Sequence, residues 1–202
     1  MHDEPLIADL DFADLMPDAP FSELHHREVA HDLDTVWPHC LAVTAGEVRA
    51  IGPLFAVRVL PRRLLQRKRP PTLRPTATLL ESFVDENFVL LRRDEEPRDD
   101  RGVVIFGAAG RFWSPVHNPP IHFGGPHDFI EFSDPGYAKT VARLEAVRLP
   151  GGGTRIETET LVVGTDPAST KKFAPYWAVI RLPSGLIRRS WLAAIERRLP
   201  PT

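Results

Sequence analysis

His117, His122 and His127 lie close together in a stretch rich in proline and glycine, and an imidazole can act as general base or as metal ligand. A spacing of five fits neither helical nor zinc-finger geometry, so only a loop could gather them, and no metal is expected. Arg111, His122 and His127 are candidates for the mouth of a pocket, as acid, base or anchor. His25, His26 and His31 form a second group. His25 and His26 are adjacent and point to opposite faces of a strand, and no cysteine or spaced carboxylate completes a site, so they read as a solvated strand. The chain has no Gly-x-Gly-x-x-Gly, phosphate-binding loop or Gly-x-Ser-x-Gly pattern. No cofactor is therefore expected, and no residue earns a catalytic assignment.

A basic stretch runs over residues 58–74, with Arg58, Arg62, Arg63, Arg67, Lys68, Arg69 and Arg74 and no acidic residue. It lacks the interleaved aromatics that stack on bases, so no nucleic-acid partner is expected. It reads as a proline-broken solvated loop, with a phosphate or anionic-lipid contact as the alternative.

The element that must position any site is the stretch from Asp166 to Leu199. Asp166 before Pro167 is a helix start, and Phe173, Trp177, Ile180, Ile187, Trp191 and Ile195 recur in one stripe. Pro183 does not break the phase of that stripe, so one long helix kinked near Pro183 is expected. Upstream, residues 137–147 and 154–163 alternate as a hairpin joined near Gly151-Gly152-Gly153. Ala138, Thr140, Ala142, Leu144 and Ala146 share a covered face with Ile156, Thr158, Thr160 and Val162. Lys139, Arg143 and Glu145 share a wet face with Arg155, Glu157 and Glu159. A register pairing Glu145 with Arg155 and Arg143 with Glu157 is favoured by charge.

The remaining elements are shorter. Residues 21–31 read as a first strand. Asp34 caps a helix to about Val43, with Cys40 a small core residue in its stripe. A second helix starts near Glu47. Thr78 and Glu81 form a capping box for a further short helix. Residues 88–93 and 103–107 read as a strand hairpin, Arg111-Phe112-Trp113 as another strand, and 128–133 as one turn. Residues 1–20 are acidic without a lysine or arginine. They read as a mobile or loosely docked tail, the alternative being that Leu6, Ile7, Leu10 and Leu15 form a short helix on the body.

At 202 residues, 43% hydrophobic and net charge −2, the chain is expected to be an acidic tail followed by one globular domain over 21–202. One cysteine fits a reducing compartment, and neither a signal pattern nor a membrane-length apolar run is present, so a cytoplasmic location without integral membrane association is expected.

The order of strand, two short helices, antiparallel strands and one long C-terminal helix resembles the helix-grip fold of the START-like, or SRPBCC, superfamily. The stretches Gly110-Arg111-Phe112-Trp113, Pro135-Gly136-Tyr137-Ala138 and Thr158-Glu159-Thr160 with Asp166 look like those of its uncharacterised bacterial members. The resemblance implies an α+β domain whose curved antiparallel sheet grips the C-terminal helix over a pocket, and it implies no reaction.

The expected function is binding of a small hydrophobic or aromatic molecule between sheet and helix. Small residues on the sheet, Ala138, Thr140, Ala142, Thr158 and Thr160, would face Trp113, Phe173, Trp177 and Ile180. The threonine hydroxyls would orient the guest, and the loop after Ser114 would be a lid. The alternative is an enzyme of the polyketide cyclase or dehydratase kind acting on an aromatic ligand.

Overall fold

The computed structural model describes residues 6–48, 74–85, 88–114 and 121–201 of the chain. The expected helix beyond Val48 and most of the basic stretch lie outside those residues, as does His117. The chain is α+β. Its elements are α1 (Phe12–Leu15), β1 (Phe21–Val29), α2 (Leu33–Ala42), a short turn of 3-10 helix (Ala45–Glu47), α3 (Leu79–Asp85), β2 (Val89–Arg93), β3 (Arg101–Gly110), α4 (Pro126–Glu131), β4 (Ala138–Arg148), β5 (Thr154–Gly164) and α5 (Pro167–Arg198). The strands make one open antiparallel sheet in the order β1-β5-β4-β3-β2.

Helix starts follow local chemistry. Asp166 accepts from Ser169 N–H at 2.8 Å, and Pro167 needs no amide partner in the first turn. The Asp166 carboxylate also accepts from Gly136 N–H at 2.6 Å, which ties the start of α5 to the turn before β4. Thr78 and Glu81 exchange their side-chain and backbone bonds as a capping box. α2 begins two residues earlier than expected, because Asp32 rather than Asp34 accepts from Thr35 N–H.

One face of the sheet carries α2, α3 and α5. Trp37, Leu79, Phe106, Leu144, Ile156, Trp191 and Ile195 are buried there in one cluster. Phe173 and Ala138 are buried in a second cluster beside Phe21, Phe112, Trp113, Tyr176 and Trp177. The stripe of α5 thus meets the sheet face that the hairpin alternation assigned to it.

The other face is not simply wet. Phe12 and Met16 from the N-terminal segment and Phe129 from α4 are buried on Leu91, Val103, Ile105 and Val141. From Leu6 onward, the acidic segment therefore lies on the body, with a short helix at Phe12–Leu15. Arg92 fastens it there, donating to Leu10 O at 3.1 Å while pairing with buried Asp94 at 2.9 Å.

Two local expectations need correction. Arg111-Phe112-Trp113 is a turn after β3, not a strand. The β4–β5 register also differs by two residues, with Arg143 opposite Glu159 and Glu145 opposite Glu157. Arg143 reconciles the two facing glutamates by pairing with Glu145, Glu157 and Glu159 together.

Candidate functional site

The register places Glu23 of β1, Thr160 of β5, Ala142 of β4 and Phe106 of β3 in one row across the sheet, under the helices. The next row is His25, Thr158, Leu144 and Val104. Among the described residues, ionisable side chains enter this covered face from both the sheet and the helix above it. Glu23 and His25 alternate inward along β1, and Arg188 descends from α5.

Arg188 donates from Nη1 to Thr158 Oγ1 at 2.6 Å and from Nη2 to Thr160 Oγ1. Burial pulls its pKa down to about 10, against the attraction of Glu23 and Glu159. Glu23 Oε1 lies 3.0 Å from His25 Nε2, and the Glu23 side chain is only 8% exposed. Glu23 Oε2 and Arg188 Nε have no hydrogen-bond partner within the described protein atoms. Gly185 permits this arrangement. A Cβ there would stand 2.7 Å from Glu23 Oε1 and 2.9 Å from His25 Nε2, so the helix backbone comes down onto the pair.

The expected lining residues divide between two environments. Thr158 and Thr160 are buried, and the guanidinium of Arg188 occupies the space above them. Ala142 is half-buried beside them in the row. Trp113, Ala138, Phe173 and Trp177 gather at the far end of the interface. Trp113 meets Phe173 edge-on at 6.5 Å, and Trp177 lies 6.0 Å from both Phe21 and Phe173. Thr140 is half-buried opposite Val162, and Ile180 is half-buried on α5.

Of the candidates for a pocket mouth, Arg111 is half-buried with its guanidinium 4.8 Å over the Tyr137 ring. His122 and His127 are exposed. Among the described residues, no three His, Cys, Asp or Glu side chains stand together as a metal site.

Sequence reasoning missed Glu23, His25 and Arg188. The signal was present in two phases. Arg188 follows Trp177 by eleven residues, about three helical turns, and so falls within the apolar stripe. Glu23 and His25 share the strand parity of Phe21 and Val29.

A cleft of about 380 Å³ opens elsewhere on the same side of the molecule, between α3 and strands β2 and β3. Its apolar wall is Leu80, Val84, Leu90, Phe106 and Ala77, with Arg74, Arg93, Glu81 and Thr76 supplying the polar groups. Val84 is a large aliphatic side chain left 48% exposed within it. Arg93 is exposed and pairs with Glu95 at 2.9 Å, an exposed pairing that a ligand anion can exchange for little.

Compared with known proteins, the sequence matches no family model and no curated protein. Among solved structures it is similar to hypothetical protein jhp0584 from Helicobacter pylori, at 9% identity, 98% coverage of each chain and a TM-score of 0.42.

Proposed function

We propose that this protein binds a small hydrophobic or aromatic molecule carrying an anionic group, in the cleft between α3 and the β2–β3 edge of the sheet. The cleft itself carries the reading. Its volume falls in the range of small-molecule sites, its wall is apolar, and a few polar groups stand at one side to orient a guest. Exposed Val84 and half-buried Leu90 are apolar surface that a guest would remove from water. Arg93 and Arg74 favour a carboxylate or sulfonate on that guest.

The START-like relationship belongs to the same proposal. An open antiparallel sheet packed on a long C-terminal helix, with α2 directly after β1, supports it. We place the protein in the cytoplasm, because its one cysteine, Cys40, is a buried free thiol whose pKa burial pushes up, a packing residue that forms no disulfide. Among the described residues, no helix is long and apolar enough to cross a membrane.

A cyclase- or dehydratase-like enzyme is the second reading, favoured by the buried Glu23–His25 pair. Glu23 and Phe106, the nearest cleft residue in its row, are three strand spacings apart, about 14 Å, so binding in the cleft does not bring a guest to that pair.

Titration with anilinonaphthalene sulfonate tests the binding reading. Saturable one-to-one fluorescence enhancement is expected. Ala77→Trp, which fills the cleft, should abolish it, and Arg93→Ala should weaken it by about tenfold. A parent protein that gives no saturable signal, or an Ala77→Trp variant that binds as the parent does, overturns the proposal.

A further inference from the structure

α5 has two apolar faces, and the sheet covers only one. Phe173, Trp191 and Ile195 face inward. On the opposite side, Val179 is 74% exposed, Leu182 75% and Leu186 52%. Steps of three and four residues put these three on one line along the helix, and exposed Pro175 and Ala178 extend it. Isolated exposed leucines are ordinary, but a contiguous line on one helix face marks a surface for something apolar.

Charge identifies the occupant. Exposed Lys171, Lys172, Arg181 and Arg189 flank the line over about 27 Å of helix. None has an ion-pair partner among the described residues, whereas Arg27, Arg93, Arg148 and Arg198 are each paired with a carboxylate. No acidic residue occurs from Pro167 to Ile195, although the chain as a whole carries net charge −2. A second copy of the same face would oppose four cations to four cations. A flat, deformable anionic surface accepts both the spread of cations and the short aliphatic line.

We propose that the outer face of α5 docks the protein on anionic membrane surfaces, with Val179, Leu182 and Leu186 entering the headgroup boundary and the four cations held by lipid phosphates and carboxylates. The helix lies in the plane of the interface and does not span it. This use of α5 is independent of the cleft, which lies against α3.

Flotation with phosphatidylcholine vesicles, with and without phosphatidylserine, is the test. Binding is expected only with phosphatidylserine, and high salt should release it. Lys171→Gln with Lys172→Gln should weaken partitioning by about thirtyfold, at about a factor of five per cation. Leu182→Ser with Leu186→Ser should abolish flotation while the circular dichroism spectrum stays that of the parent and the thermal melt falls only slightly, because the two side chains are already 75% and 52% exposed and serine costs the helix little. No flotation of the parent on phosphatidylserine vesicles overturns the proposal. Unchanged flotation of the double serine variant also overturns it, assigning any lipid affinity to another basic stretch. Salt-sensitive capture of polyglutamate without any flotation would assign the face to an acidic protein instead, and overturn the membrane reading.

Discussion

A guanidinium enclosed between a helix and a sheet is stabilising only while its counter-charge and hydrogen-bond acceptors are in place. Arg188 has Thr158 and Thr160 as acceptors and feels the charge of Glu23 without touching it, and His25 bonds Glu23 at Oε1. Replacing Arg188 with methionine keeps the apolar stem but leaves Glu23 buried without its cation. The expected loss is about 3–5 kcal/mol in urea denaturation. Adding Glu23→Gln should recover part of it, with a coupling of about 1–3 kcal/mol. Strictly additive losses would show that the two charges do not act on one another. This cluster was hard to read in the sequence for a physical reason. An arginine beside Arg189, or a glutamate in a strand that also holds Arg27 and Glu28, is ordinarily solvated, and the cost of burying either falls only when the other is buried with it. Charge burial is a property of the pair, and the two members lie on elements far apart in the chain. Thr158 and Thr160 were legible as inward and small, since alternation fixes their face, but what filled the space above them was not.

Elements whose limits depend on neighbours in sequence were legible: the Asp166 start of α5, the Thr78–Glu81 capping box and the β4–β5 hairpin. Those settled by competition between near-equal local signals were not. Asp32 and Asp34 are both able to cap α2, and the Thr35 amide decides between them. The hairpin register was expected from cross-strand charge, worth under about 1 kcal/mol per exposed pair. The turn outweighs it, with Gly152 and Gly153 at positive φ and bonds between Leu149 and both of them. The contact between α2 and β3 is another non-local feature and gives a sharp test. Trp37 lies over Gly102, where an added Cβ would be 2.5–2.7 Å from ring atoms. The ring cannot retreat easily, because it is buried and its Nε1 donates to Asp94 O at 3.1 Å. Strand propensity alone predicts that Gly102→Val stabilises β3. Overpacking against Trp37 predicts the reverse, a loss of about 1–3 kcal/mol. We expect the loss, visible as a lowered melting temperature, and a variant that melts at or above the parent would show that Trp37 is not wedged against β3.

At the scale of the molecule, carboxylates clamp both ends of α5, and that makes stability depend on pH in a defined direction. At the start, Asp166 is held at a pKa of about 2, chiefly by the Ser169 hydroxyl and then by the Gly136 amide. At the far end, Glu47 is also brought to about 2, first by the Arg198 side chain and further by the Thr44 amide and hydroxyl. Both folded values lie below the ordinary ones of 3.8 and 4.5. The unfolded chain therefore takes up protons first on acidification, and the stability these groups confer is present above about pH 4.5 and lost as pH falls toward about 2. Glu145 has the opposite sign. Burial raises its pKa against the pull of Arg143 and Arg101, so it favours the folded state in acid and ceases to as pH rises through its folded value. With Asp32 also held below its ordinary value by the Thr35 amide and hydroxyl, three groups weaken the fold in acid against one that strengthens it, and the urea midpoint should fall as pH drops below about 4.5. Asp166→Asn should flatten that fall, because the neutral side chain still caps the helix and has no proton to take up. Glu145→Gln should steepen it, because a group that gains from protonation is gone. Midpoints measured for the parent and both variants across that range decide the matter, and equal slopes in all three would remove these carboxylates from the account of how α5 is held.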